Sequence, residues 1–229
     1  MLYYESKISI CFKEDTPHEK SQEVISKSIN AAMLLDEELR RKHKENAFKG
    51  YTYCAPYPVE VSRTYLAGKI YLFRLRSIDL SFILKIKNLL PRSDEYFKVL
   101  AFELYNCKHN YIDRLITLTP AVSTLYNRNW VKEDGLETIR VNIHNNAVKK
   151  AKHFSKATFV EPKENFIEFI TQTNRTPIKI PYKDGSMLGN KFSLIVKSDE
   201  ASQELARIIL GTGLLEKGSL GLGFCIISK

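Results

Sequence analysis

Nowhere does the chain carry an apolar run approaching the roughly 18 residues that a membrane-spanning helix needs. Its opening, MLYYESKISICFKEDT, alternates apolar and polar residues and has charges among them. The continuous apolar block of a secretory signal is absent, so a cytoplasmic protein with no membrane association is expected. Cysteine is sparse: Cys11, Cys54, Cys107 and Cys225 lie far apart and match neither zinc nor redox spacing. They read as buried thiols in a reducing compartment. There is no HExxH or HxxEH element, no Cys/His cluster and no pair of HxT or HxS elements. Nothing suggests a two-metal carboxylate site, so neither metal nor cofactor is expected.

Acidic residues are outnumbered, with 26 Asp and Glu against 35 Lys and Arg, a net charge of +9 and a pI near 9.2. A balance of this sign favours a polyanionic partner, although a lysine-rich surface alone would give the same count. At 229 residues and 44% hydrophobic, the chain can build one large domain or two small ones.

Residues 2–13 alternate like a half-buried strand. Over 19–42 the apolar positions Val24, Ile25, Ile29, Ala32, Met33 and Leu34 repeat at helical spacing, and the charged ELRRKHKEN stretch ends or follows this helix. Phe48–Pro56 and Lys69–Arg76 read as strands, and Leu80–Leu90 as a helix stopped at Pro91. Lys98–Tyr105 and Arg114–Pro120 read as strands that close the first half. The resulting β-α-β-β-α-β order is that of a ferredoxin-like, or RNA-recognition-like, domain. In the second half, 134–156 reads as a basic helix carrying Arg140, Lys149, Lys150, Lys152, His153 and Lys156. Strands at Asn165–Gln172, Pro177–Tyr182 and Lys191–Lys197 follow, then a helix over 200–210 capped by Asp199, and a last strand Phe224–Ser228. The expected fold is α+β, two tandem ferredoxin-like domains, 1–121 and 122–229.

Five of the ten glycines fall in one short segment, GTGLLEKGSLGLG, at Gly211, Gly213, Gly218, Gly221 and Gly223, with Lys217 at its centre. An even spread would place about half a glycine there. Glycine permits positive φ and lets backbone amides approach a bulky anion. The segment runs from helix into strand, unlike a Rossmann turn, and lacks the spacing of a nucleotide-binding P-loop. A purely structural hairpin with bulges is the competing reading.

This C-terminal glycine-rich loop entering a final strand resembles the signature of the repeat-associated RNA-binding superfamily. That superfamily includes the CRISPR-associated endoribonucleases that process precursor repeat RNA. The likeness extends to chain length, the β-α-β-β-α-β opening and the TLTPAV segment at the domain junction. By that resemblance the five glycines and Lys217 are RNA-binding residues. The loop does not by itself separate cleaving members from non-cleaving, RNA-holding ones.

Cleaving members are similar to one another in placing a histidine just after the first helix, then a lysine and an aromatic strand. HKENAFKGYTY has that arrangement, with His43, Lys49, Tyr51 and Tyr53. A histidine near neutral pKa can shuttle a proton between the attacking and leaving oxygens of a phosphodiester. Lys49 can stabilise the charge of the transition state, and Tyr51 can orient the phosphate. Residues 19–42 hold no tyrosine, a departure from members that use one inside the first helix. Read on its own, His43 is one histidine in a solvated basic helix end. His18 and His109 fall in loops, while His144 and His153 fall on the basic helix, where phosphate contact is the expected role. The resemblance implies metal-independent attack by the RNA's own 2′-hydroxyl, leaving a 2′,3′-cyclic phosphate and a 5′-hydroxyl. It also implies CRISPR repeat RNA, single-stranded or hairpin, and other CRISPR complex subunits as partners. The alternative is a non-catalytic RNA-binding subunit of such a complex.

Overall fold

The computed structural model describes residues 2–125, 127–155, 159–182 and 185–228. The alternation in the first strand, β1 (Tyr3–Phe12), sets the first core. Ile8, Ile10 and Phe12 point to one face and are fully buried. They meet Ile25 and Ile29 of α1 (His18–Leu34), four residues apart, and Ile83 and Ile86 of α3 (Leu80–Leu89), three apart. Each such burial contributes about 1.5–3 kcal/mol, which outweighs any local propensity. Between these helices lie α2 (Glu37–Lys44), β2 (Tyr51–Tyr53) and β3 (Ile70–Ser77), and β4 (Phe97–Cys107) follows α3. The sheet runs β2-β3-β1-β4 with every neighbouring pair antiparallel.

The second sheet repeats the plan. It comprises β5 (Arg114–Thr117), α4 (Leu136–Ser155) and β6 (Ile167–Gln172), then a hairpin of β7 (Ile178–Tyr182) and β8 (Gly185–Gly189). β9 (Phe192–Val196), α5 (Glu200–Thr212) and β10 (Cys225–Ser228) complete it. Strand order is β6-β9-β5-β10, so in both halves the first strand lies between the third and the fourth. The chain is two tandem ferredoxin-like units. Asp199 caps α5 as expected, accepting from the Ser202 amide at 3.0 Å.

Three expectations change. The helix expected over 19–42 is two helices, because Asp36 takes an extended conformation and its carboxylate accepts from the Leu39 amide at 2.9 Å, opening α2. The strand expected over Phe48–Pro56 is limited to Tyr51–Tyr53, with Gly50 turning the chain at φ +71° just before it. Arg114–Thr117 does not close the first sheet; it pairs with β9 and β10 in the second. The chain therefore changes sheets within 108–113, ahead of the 121/122 boundary expected from sequence. Gln203 of α5 pins this crossing, accepting from the Ile112 amide at 2.7 Å and donating to its carbonyl at 2.9 Å.

A buried arginine, ion-paired within the first sheet, ties the two halves together. Arg76 donates to Glu5 at 2.5 Å and reaches the Cys225 carbonyl at 2.6 Å, with its guanidinium 4.3 Å from the Phe224 ring centre. No helix among the described residues is long and apolar enough to cross a membrane.

Candidate functional site

Helix α2 is short and charged, so its position depends on its ends. Leu39 is its one buried side chain. At its start, Lys85 of α3 binds Asp36 at 2.9 Å and Glu38 at 2.7 Å, and Lys42 binds Glu38 at 2.8 Å and Asp79 at 3.4 Å. The two lysines hold the Glu38 carboxyl down at about 2. At its end, the Lys49 ammonium donates to the carbonyls of Lys42, His43 and Glu45 at 2.6, 2.9 and 2.6 Å. Lys49 thus caps the C-terminus of α2, where unpaired carbonyls and the helix dipole favour a cation.

His43 sits in the last turn of α2 and is half-buried. Among the described residues its ring makes no hydrogen bond. Burial, and secondarily the Lys49 charge, push its pKa below the ordinary histidine value. The imidazole is therefore neutral at neutral pH and able to take a proton. Tyr51, expected to orient the phosphate, belongs instead to the core. Its ring stacks on Phe82 at 4.6 Å, its hydroxyl donates to the Met33 sulfur at 3.9 Å, and burial pushes its pKa up. Lys49 has all three N–H groups on backbone carbonyls, so contact with a phosphate would require it to abandon the cap.

Residues 46–51 form one wall of a cavity of about 580 Å³, and Leu215 to Ser219 of the glycine-rich segment form the other. Lys150, His153 and Phe154 of α4 and Thr212 of α5 complete its lining. A neighbouring cavity of about 480 Å³ shares Ala47 to Gly50 and is bordered by Lys42 and Glu45, the residues flanking the His43 turn. Phe48 meets the His153 ring edge-on at 5.7 Å, so the first and second units touch here.

The five glycines are all buried. Gly211 and Gly213 lie at the end of α5, and Gly218 alone among the five lines the cavity. At Gly221, with φ +78°, a Cβ would lie 2.5 Å from the Tyr53 ring; at Gly223, with φ +69°, it would lie 2.1 Å from the Leu214 carbonyl oxygen. The segment is thereby pressed against β2 and against itself. Gln22 of α1 donates to the Gly221 carbonyl at 2.8 Å, and Gly223 donates to the Pro120 carbonyl of TLTPAV at 2.8 Å. Most of the loop's glycines therefore have packing duties, which is the structural-hairpin reading. Lys217 is the exposed tip, its ammonium 5.8 Å from the Tyr182 ring centre.

The basic helix is less open than its sequence suggests. Arg140 is paired with Glu137 at 2.7 Å and Lys152 with Glu161 at 2.6 Å; Lys156 lies outside the described residues. His144 accepts from the Phe166 amide at 3.3 Å, His109 shares a 2.9 Å hydrogen bond with Tyr3, and His18 stacks on Tyr65 at 5.8 Å. Lys150 is not a surface cation at all. It is 3% exposed and donates to the carbonyls of Gly213 and Leu215 at 2.6 and 2.7 Å. The signal was present in the sequence: Lys150 falls three residues after Ala147 and seven after Ile143, on the apolar face of α4. Among the described residues no three His, Cys, Asp or Glu side chains gather as a metal site would require.

No family model matches the chain, and no curated protein matches it in sequence. Solved structures do match over its whole length. One described as a CRISPR associated protein Cas6 is 15% identical with a TM-score of 0.74, covering 99% of this chain and 100% of its own. A second, described as a RAMP protein binding different RNA substrates, gives the same four values. A Cas6-related protein from Pyrococcus furiosus is 16% identical with a TM-score of 0.70, covering 99% of each chain. At these identities the likeness is one of fold.

Proposed function

We propose that the protein is a metal-independent endoribonuclease that binds CRISPR repeat RNA across the cleft between residues 46–51 and 215–219 and cuts it with His43 as the proton-transfer group. The observation that carries this reading is the His43 turn. A half-buried imidazole, neutral at neutral pH and uncommitted to any hydrogen bond among the described residues, closes the helix that leads into the 46–51 wall of the cleft without itself lining the cavity, in a chain of net charge +9. A fold shared with a protein described as binding different RNA substrates supports it. In the reaction, His43 accepts the proton of the 2′-hydroxyl and that oxygen attacks the adjacent phosphorus. The 5′-oxygen leaves and takes up the proton that His43 had accepted, giving a 2′,3′-cyclic phosphate and a 5′-hydroxyl and returning His43 to its neutral form. Lys49 serves here as a positioning residue, fixing the carbonyls on either side of His43 and holding the imidazole neutral.

A second reading, an RNA-holding subunit that does not cut, is favoured by the burial of Tyr51 and the full commitment of Lys49. One experiment separates the two. Purified protein is incubated with repeat RNA in EDTA, alongside RNA carrying a single 2′-deoxy substitution at the cleavage site. Cleavage of the first alone, with a cyclic phosphate end, is the expected result. Binding without cleavage would identify the second reading. Cleavage of the 2′-deoxy RNA would exclude the 2′-hydroxyl mechanism.

A further inference from the structure

Lys150 takes no part in the chemistry above, yet it is a lysine buried without a carboxylate partner. An ammonium has three N–H groups, and two of its three are taken by the Gly213 and Leu215 carbonyls. The third has no acceptor among the described residues. Its ionisable neighbours Cys225 and Glu216 favour its charged form, but neither bonds to it among the described residues. Glu216, from the glycine-rich segment, turns its carboxylate to the Thr124 amide and hydroxyl at 2.9 and 3.0 Å, and Cys225 of β10 is a thiol whose pKa burial raises to about 12. Across the cavity Lys49 is occupied by its own carbonyls, and on α4 His153 faces Phe48. Although almost completely buried, Lys150 lines the 580 Å³ cavity together with His153, Lys217 and Ser219. In its charged form Lys150 therefore keeps one N–H unfilled, in a cavity wall it shares with His153, Lys217 and Ser219 and also with Glu216. A phosphodiester, with one negative charge and two non-bridging oxygens, complements it.

We propose that Lys150, His153, Lys217 and Ser219 form a backbone-phosphate subsite of the RNA cleft, with the third N–H of Lys150 directed at a non-bridging oxygen. The subsite rests on the reading of the cleft as an RNA site. It gives the glycine-rich segment a second duty: Lys150 clasps its carbonyls and presents the phosphate to its Lys217–Ser219 tip. Burial lowers the Lys150 pKa to about 7, so in the free protein at pH 8 most molecules carry it uncharged. A phosphate at the third N–H favours the charged form, so RNA binding at that pH must draw a proton from solution.

The test is calorimetric titration of the wild-type protein with repeat-length single-stranded RNA in EDTA, in buffers of different ionisation enthalpy. Uptake of about one proton is expected at pH 8, fading toward pH 6, where Lys150 is already charged. Histidines would give the opposite trend, with little uptake at pH 8. Lys150→Arg, charged at every pH, should bind RNA without the uptake. Lys150→Met should bind roughly tenfold to a hundredfold more weakly. RNA binding with no uptake, or uptake that persists in Lys150→Arg, overturns the subsite while leaving the cleft reading intact. Failure of the wild-type protein to bind RNA overturns the cleft reading and the subsite with it.

Discussion

The two walls of the cleft come from segments of similar length held by contrasting means. Residues 36–51 are anchored through helix ends: Asp36 on the Leu39 amide, Lys85 on Asp36 and Glu38, Lys49 on three terminal carbonyls. Residues 211–223 are anchored by exclusion, in space that Gly221 and Gly223 leave open for Tyr53 and Leu214. Polar anchoring leaves a side chain such as His43 partly solvated and free to exchange a proton. Steric anchoring gives a rigid wall whose glycines have little surface left for a ligand. The proposed chemistry accordingly falls on the first wall, and the second supplies shape.

The largest effect is expected where exclusion is tightest. Gly223→Val places a Cβ 2.1 Å from the Leu214 oxygen at a φ that valine avoids, and should cost about 4 kcal/mol or more, enough to prevent folding. Denaturant unfolding measures this. A folded variant with only weakened RNA affinity would show that the glycines serve the ligand rather than the packing. On the other wall, His43→Ala should leave stability within about 0.5 kcal/mol while single-turnover cleavage falls roughly a hundredfold or more. Cleavage at near wild-type rate would remove His43 from the mechanism.

Lys49→Met sharpens the contrast further. Loss of the cap should cost about 1–2 kcal/mol. It should also move the pH profile, with a sign that follows from the lowered His43 pKa. The basic form of His43 is needed, so the rate falls as pH drops through that pKa. Removing the positive neighbour raises the pKa, and the fall then begins at higher pH. Burial, the larger cause of the shift, persists, so the displacement is partial. A profile that does not move while the rate collapses would assign Lys49 to the phosphate instead. The smallest effect is expected for Asp36→Ala, about 1 kcal/mol by thermal unfolding, since Lys85 keeps Glu38 when the N-cap is lost.

Much of the molecule could be read from periodicity. Ile25 and Ile29, then Ile83 and Ile86, at helical spacing, and Ile8, Ile10 and Phe12 at strand spacing, place two helices and a strand around one core, and Asp199 announces its helix by chemistry alone. The break at Asp36 was legible in principle, since an Asp followed by two Glu is an N-cap with an acidic first turn, but the continuous helical spacing of 19–34 concealed it. The Arg114–Thr117 strand was visible as a strand, but its sheet was not. Alternation shows which face is buried and says nothing about which neighbour supplies the hydrogen bonds.

What the sequence by itself determined is therefore most of the elements, though neither the separate helix α2 nor the strand Gly185–Gly189, together with the β-α-β-β-α-β plan, the basic charge and the two unusual segments, His43 to Tyr51 and Gly211 to Gly223. What only the tertiary structure decided is how those segments use their residues: Lys49 on helix carbonyls, Tyr51 in the core, the glycines as packing surfaces, and Lys150 buried beneath the loop. The reason is physical. Propensity and periodicity act over a few neighbouring residues. The partner of a lysine's N–H, or the atom that a Cβ would strike, comes from a segment as far away as the 63 positions between Lys150 and Gly213, and its position is defined only when both sheets are in place.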